Sequence, residues 1–169
     1  MRNATRWTAA AATALVLASG ASSYADAPAA DPAPAASSGP AAGFSTTGTW
    51  QLLAKVNAHR RGMGLRPLTV DTKLAAAARS WTERMVASRT LSHNEPLFSS
   101  ASHRALRMSS LGENVGWNYS VSAQDAAFLN SPHHRANVET SAFRSAGFAV
   151  VRGADGRIWS TEDFGAPAA

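Results

Sequence analysis

Three side chains that can bind a metal or transfer a proton occur at intervals of about twenty residues in the middle of the chain. Glu113 lies between two glycines in residues 111–116, His93 precedes it, and His134 follows it. One carboxylate and two imidazoles could together bind a divalent metal such as zinc, or could form an acid/base pair. Sequence spacing does not show whether the three side chains meet.

Other signs of catalytic chemistry are absent from the sequence. No two histidines stand four residues apart, the common helical zinc pattern, and no Gly-x-Ser-x-Gly surrounds a serine. The chain has no cysteine, which excludes disulfides, thiolate metal ligands and a cysteine nucleophile. No cofactor is therefore required, and a metal-dependent hydrolase is one hypothesis among several.

The composition predicts one basic globular domain. The chain has 169 residues, of which 45% are hydrophobic, enough for one core of ordinary size. Its formal net charge is +5, and its fourteen arginines and two lysines are scattered. Nucleic-acid-binding proteins more often carry a basic stripe interleaved with aromatic residues. We expect a monomer with no nucleic-acid partner, and attraction to an acidic cell envelope stays open.

The first 25 residues have the pattern of a secretory signal peptide. Arg2 and Arg6 precede an apolar run, and small residues between positions 20 and 27 offer cleavage sites, of which the bond after Ala25 is favoured. The apolar run has eleven residues, fewer than the roughly 20 that cross a bilayer. The pattern therefore predicts export without a transmembrane anchor.

A linker and a folded domain are predicted to follow. Residues 26–45 are rich in Ala, Pro and Ser and have almost no large apolar side chain, which is typical of a disordered linker. Residues 46–169 then form the domain. The protein is predicted to be secreted, either free or associated with the cell wall.

The first part of the domain has helical periodicity. A helix is predicted from Trp50 to about Arg61, with Trp50 on its buried face and with Asn57 and Arg60 tying it to a loop. A second is predicted from an Asp71 N-cap to about residue 87. Two shorter helices follow; their starts are Ser122-Ala123-Gln124-Asp125, which has the form of a capping box, and Ser131-Pro132.

The last part of the domain has strand periodicity. Residues 147–152 and 157–164 predict a hairpin closed by residues 153–156, and residues 115–119 predict a third strand. The fold class is therefore α+β, with a small antiparallel sheet packed against helices.

Several motifs in this order resemble the CAP superfamily of SCP-like extracellular proteins, in its compact bacterial form. The resemblance covers about residues 48–165 and rests on Asn57-x-x-Arg60, Ser92-His93, Gly112-Glu113-Asn114, Ser131-Pro132-x-His134-Arg135-x-Asn137, Gly147-Phe148 and Trp159 to Gly165. It implies an α-β-α sandwich, with the sheet between two helical layers.

The resemblance also implies a cleft lined by His93, Glu113 and His134. A second acid of the family's cleft is missing here from the helix before His134. Glu162 stands where the family usually has glutamine, and we expect it to take that place in the lining of the cleft. His134 would lie in the first turn of a helix, where the helix dipole favours neutral imidazole. His133 would point to the surface, and His59 and His103, which match no motif, are expected to face solvent.

Three functions are consistent with the sequence. The first is a secreted binding module that holds a lipid, a sterol-like molecule or a cell-envelope component in the cleft or a groove beside it. The second is a hydrolase in which Glu113 activates water on a metal held by His93 and His134. The third is a structural or signalling surface protein without a ligand. The incomplete acid set favours the first.

Overall fold

A computed structural model describes residues 42–168. The predicted signal peptide and residues 26–41 of the predicted linker lie outside this range. The helices are α1 (Thr46–Gly62), α2 (Thr72–Ser88), α3 (Ser100–Leu106), α4 (Val121–Asn130) and α5 (Pro132–Glu139), and a 3-10 turn spans Glu95–Phe98. The strands are β1 (Gly43–Phe44), β2 (Thr69–Val70), β3 (Met108–Asn118), β4 (Ser145–Arg152) and β5 (Ile158–Pro167). Within the described range, no helix is long and apolar enough to cross a bilayer.

The strands form one sheet between two helical layers. The order is β1-β4-β5-β3, with antiparallel pairing along this path, and β2 pairs in parallel with β4. One layer contains α2, α3 and the 3-10 turn, and the other contains α1, α4 and α5. The predicted α-β-α sandwich is confirmed.

Strand alternation separates two neighbouring residues of β3. Successive side chains of a strand point to opposite faces, and cross-strand partners share a face. Glu113 pairs with Asp163, which pairs with Gly147, and a Cβ on Gly147 would lie 2.0 Å from the backbone of Leu74 in α2. Glu113 therefore faces the α2 layer, and the next residue, Asn114, faces α4 and α5.

The predicted tie from α1 is confirmed. Arg60 is fully buried and donates to the carbonyl oxygens of Arg66, Val138, Thr140 and Phe143. The side chain of Asn57 exchanges two hydrogen bonds with the backbone of Leu68. These bonds join α1 to the segment before β2 and to the segment that leads from α5 into β4.

Four details differ from the sequence prediction. Gly43 and Phe44, assigned to the linker, pair with β4, because its outer edge accepts a short strand. Trp50 is 57% exposed, since Leu52, Leu53 and Val56 form the buried face of α1. The third strand begins at Met108 rather than at residue 115, because its length follows its partner β5. The N-cap of α4 is Ser120 rather than Ser122.

Candidate functional site

His93 and Glu113 are in direct contact. The Nδ1 atom of His93 lies 2.7 Å from Oε1 of Glu113, and the backbone N–H of Asn94 donates to the same oxygen at 2.9 Å. The Glu113 side chain is fully buried, whereas that of His93 is 40% exposed. Trp81 of α2 donates its indole N–H to the carbonyl of Ser92 at 2.7 Å, which anchors the segment carrying His93. The exposed imidazole is thus oriented by a buried carboxylate.

Asp163 completes this cluster, and the sequence analysis did not single it out. It is fully buried and pairs across the sheet with Glu113. Neither of its oxygens, nor Oε2 of Glu113, has a hydrogen-bond partner among the described residues. Burial raises the pKa of Asp163 well above its ordinary value, and the neighbouring Glu113 raises it further. Both effects favour the protonated, uncharged form of Asp163 beside the carboxylate of Glu113.

The contact with Glu113 controls the charge of His93. The hydrogen bond to Glu113 raises the pKa of His93; burial opposes this effect, and the charges of Glu113 and Glu95 add to it. When the His93 ring is protonated and its Nδ1 donates to Glu113, its Nε2 stays available to donate to an anion or to transfer a proton.

His134 lies in the other helical layer. Its ring packs against Phe128 with centroids 5.0 Å apart, and its backbone carbonyl accepts from Asn114. Burial lowers the pKa of His134, and the nearby charges of His93 and His133 lower it further, so the imidazole is neutral at pH 7. No hydrogen bond joins His134 to Glu113 within the part of the chain that is described. The two histidines are tied to neighbouring residues of β3 that face opposite sides of the sheet, His93 to Glu113 and the backbone of His134 to Asn114.

Glu162 is placed inside the protein rather than on a cleft wall. It is fully buried on the sheet face opposite to Glu113, and its Oε2 accepts from Asn114 at 2.9 Å. Asn137 of α5 donates to Oδ1 of Asn114 and to the backbone carbonyl of Glu113. The polar residues on this face therefore position α5 against β3.

Of the remaining histidines, His133 is exposed, as predicted. The prediction that His59 and His103 face solvent is wrong: both are half-buried, because each has a local partner. His59 contacts Glu139 at 2.9 Å, and His103 contacts the carbonyl of Met108 at 3.2 Å.

The geometry does not fit a three-ligand metal centre. In residues 42–168, no three His, Asp or Glu side chains come together as a group that could hold a metal ion. Oε1 of Glu113 accepts from His93 and Asn94, which is the arrangement of a carboxylate that orients an imidazole, although Oε2 has no partner among the described residues.

We predict that Glu113→Gln lowers the pKa of His93 towards its ordinary value, because the substitution removes the carboxylate that stabilises imidazolium. An NMR titration of the His93 ring measures this directly. Glu95→Gln is the matched control and should lower the pKa less, since Glu95 acts on His93 only at a distance. Equal shifts in the two variants would contradict the assigned hydrogen bond.

An apolar groove lies away from these residues, at the outer edge of β4. It has a volume of about 370 Å³, within the range of about 300–1,000 Å³ that is usual for small-molecule sites. Its walls come from β1, α1, β2 and α2, and its lining includes Phe44, Trp50, Leu53, Val70, Ala76, Arg79 and Phe148. Trp50 and Val70 are among the exposed large apolar residues of the domain.

The backbone N–H and C=O of Phe148, a residue that lines this groove, have no partner among the described residues. β1 pairs with residues 151 and 152 of β4, and β2 pairs with residues 145 and 146. Val150 bonds outward, through its N–H to Thr49 and through its C=O to Ser45. Because alternate residues of a strand present their backbone groups to the same edge, the N–H and C=O of Phe148 also point outward. No described residue bonds to either group at this edge.

The fold matches solved structures of several bacterial proteins. An outer surface protein of Borrelia burgdorferi aligns with a TM-score of 0.65 and 19% identity, over 74% of this chain and 97% of that one. An extracellular SCP-domain protein of Bacillus anthracis aligns with a TM-score of 0.58 and 23% identity, over 70% of this chain and 40% of that one. A cysteine-rich secretory protein of Staphylococcus aureus aligns with a TM-score of 0.54 and 22% identity, over 70% of this chain and 38% of that one. This chain thus spans under half the length of the last two.

The sequence itself matches a family profile. A search of curated proteins gave no match. The profile of the family described as "CAP: Cysteine-rich secretory protein family" matches residues 53–164, which is most of the described domain and contains every motif from Ser92-His93 to Phe164. The matched range runs from α1 to β5, in a chain that has no cysteine. The chain belongs to the CAP, or cysteine-rich secretory protein, family.

Proposed function

We propose that this domain is an extracellular binding module that takes a single-chain amphiphile, such as a fatty acid of the cell envelope, in the groove at β4. The single observation that carries the proposal is the combination of apolar walls with unpaired polar groups in one concave site. Secretion is supported by the signal-like N-terminus and by relatives that are described as extracellular or outer surface proteins.

The acyl chain is expected to pack against Trp50, Val70 and Phe148, since burial of apolar surface drives such binding. The carboxylate is expected to accept hydrogen bonds from the N–H of Phe148 and from Arg79. The guanidinium of Arg79 stacks over Phe44 at 4.2 Å, and among the residues that the structure describes only its Nε is engaged, by Glu83. The terminal N–H groups of Arg79 are therefore available to a ligand.

Titration of the protein with palmitate tests the proposal. Ala76→Phe should weaken binding at least about tenfold by filling the groove, which corresponds to about 1.4 kcal/mol. Ala87→Phe is the matched control, because Ala87 is exposed on the same helix outside the groove, and it should bind as the wild type does. Arg79→Gln should weaken binding of palmitate but not of its methyl ester. Absence of binding, or equal loss in both phenylalanine variants, would refute the groove as the site.

A metal-dependent hydrolase is the second candidate. The neutral imidazole of His134 favours it, because a metal requires an unprotonated ligand. The raised pKa of His93 and the engaged oxygen of Glu113 oppose it. Stoichiometric zinc that is lost in His134→Ala would establish a metal site. Metal-free protein whose Tm is unchanged by zinc would refute the hydrolase hypothesis. If neither palmitate nor zinc binds, the remaining hypothesis is a surface protein without a ligand.

A further inference from the structure

A second cavity lies towards the other edge of the sheet, where β3 begins and β5 ends. It is an open pocket of about 600 Å³, and three of its five lining residues are basic in character: His103, Arg104 and Arg107. Met108 and Ala168 complete the lining. This pocket shares no lining residue with the groove, and neither His93 nor His134 lines it.

The backbone of this pocket is fixed. Ala168 donates its N–H to the carbonyl of Arg107 at 2.9 Å, and Arg107 ends α3 in the left-handed conformation with φ at 57°. Nδ1 of His103 contacts the carbonyl of Met108, which makes Nδ1 the donor and keeps Nε2 for a ligand. The three basic side chains therefore project from a short, hydrogen-bonded segment.

The charges of Arg104 and Arg107 are not neutralised by any residue that the structure describes. Among the described residues, neither Arg104 nor Arg107 has a salt bridge or a side-chain hydrogen bond, whereas Arg79 and Arg157 each contact a carboxylate. Lys73 adds a further positive charge nearby, since its Nζ donates to the carbonyl of Ala105 in α3. Several uncompensated donors around one concavity match a group with several anionic oxygens.

We propose that this pocket binds phosphate groups, with Arg104 and Arg107 as paired donors. Arginine presents a fork of N–H groups that fits tetrahedral phosphate oxygens. Free phosphate and the phosphate of a lipid head group share this chemistry. The proposal does not depend on the amphiphile groove, because the two sites have no residue in common.

Titration of the protein with inorganic phosphate, followed by amide NMR, tests this site. Saturable shifts are expected at residues 103–108. The double variant Arg104→Gln/Arg107→Gln should weaken binding about tenfold or more, since each charge-assisted hydrogen bond contributes about 1.5–3 kcal/mol. Its charge-matched control is Arg61→Gln/Arg66→Gln, two exposed arginines outside the pocket, which should change the affinity less than about twofold.

A second arm identifies the source of the phosphate. Binding to vesicles that contain phosphatidylglycerol, competed by phosphate and lost in Arg104→Gln/Arg107→Gln, supports the site with a lipid head group as its ligand. Binding of phosphate without binding to these vesicles supports the site with a free phosphate ligand. Non-saturable shifts, or equal losses in the two double variants, would overturn the proposal, because they indicate diffuse attraction to a basic surface. An unchanged Tm in both double variants shows that a loss of binding does not come from unfolding.

Discussion

Replacement of Arg60 by alanine is expected to destabilise the domain by about 4 kcal/mol or more, or to prevent folding. Arg60 is fully buried and donates to four backbone carbonyls. The hydrogen bonds to the carbonyls of Val138 and Phe143 are buried. Its loss leaves these acceptors without partners and also leaves a cavity. Buried acceptors without partners cost roughly 1–3 kcal/mol each, although such costs do not add fully. Urea denaturation measures the free energy of unfolding.

Two variants separate the role of geometry from that of charge. Arg60→Lys keeps the positive charge but lacks the planar fork that reaches carbonyls on several sides, so it should recover only part of the loss. Arg61→Ala removes an exposed arginine next in sequence and should change the free energy of unfolding by less than about 0.5 kcal/mol. An Arg60→Ala variant as stable as Arg61→Ala would show that these hydrogen bonds do not hold the domain together.

Replacement of Glu162 by glutamine is expected to stabilise the domain, and by more at higher pH. Burial raises the pKa of Glu162 from 4.5 to about 8, against the hydrogen bond from Asn114, and Asp125 adds to the increase. Between these values the unfolded chain releases a proton that the folded chain retains, so stability falls as pH rises. Each pH unit above the ordinary pKa of 4.5 costs about 1.4 kcal/mol, which gives a penalty of about 3.5 kcal/mol at pH 7.

Glutamine removes this penalty and keeps an acceptor oxygen for Asn114. The gain should be small near pH 5 and should grow until about pH 8, where both states are ionised and the difference levels off. Thermal unfolding at several pH values measures it. Glu83→Gln makes the same change at an exposed position and should show no such trend. A gain that does not depend on pH would contradict the buried titration of Glu162.

Much of the fold was predictable because its signals are local. Asp71 and Ser131-Pro132 mark helix starts through short-range capping and φ preferences, and the structure begins α2 and α5 there. The β4–β5 hairpin follows from alternation around a Gly-rich turn. The family motifs then supplied the layer order, which no local signal contains.

The arrangement of the site was less predictable because it depends on register. The pairing of Glu113 with Asp163 and of Asn114 with Glu162 places neighbouring residues on opposite faces, and sequence alone does not give this alignment. It explains why Glu162 is buried away from His93. The groove depends on the short strands β1 and β2, which leave the outward-facing N–H and C=O of Phe148 unpaired between them among the described residues. Gly43 and Phe44 carry no strand signal of their own.

The most direct test of the proposed binding function is an amide NMR titration of the protein with palmitate. We expect the largest shifts at the backbone N–H of Phe148 and at the indole N–H of Trp50, with saturation, while the rings of His93 and His134 stay unchanged. Shifts at the two histidines with none at Phe148 would contradict the groove and place the ligand at the histidine-lined site instead.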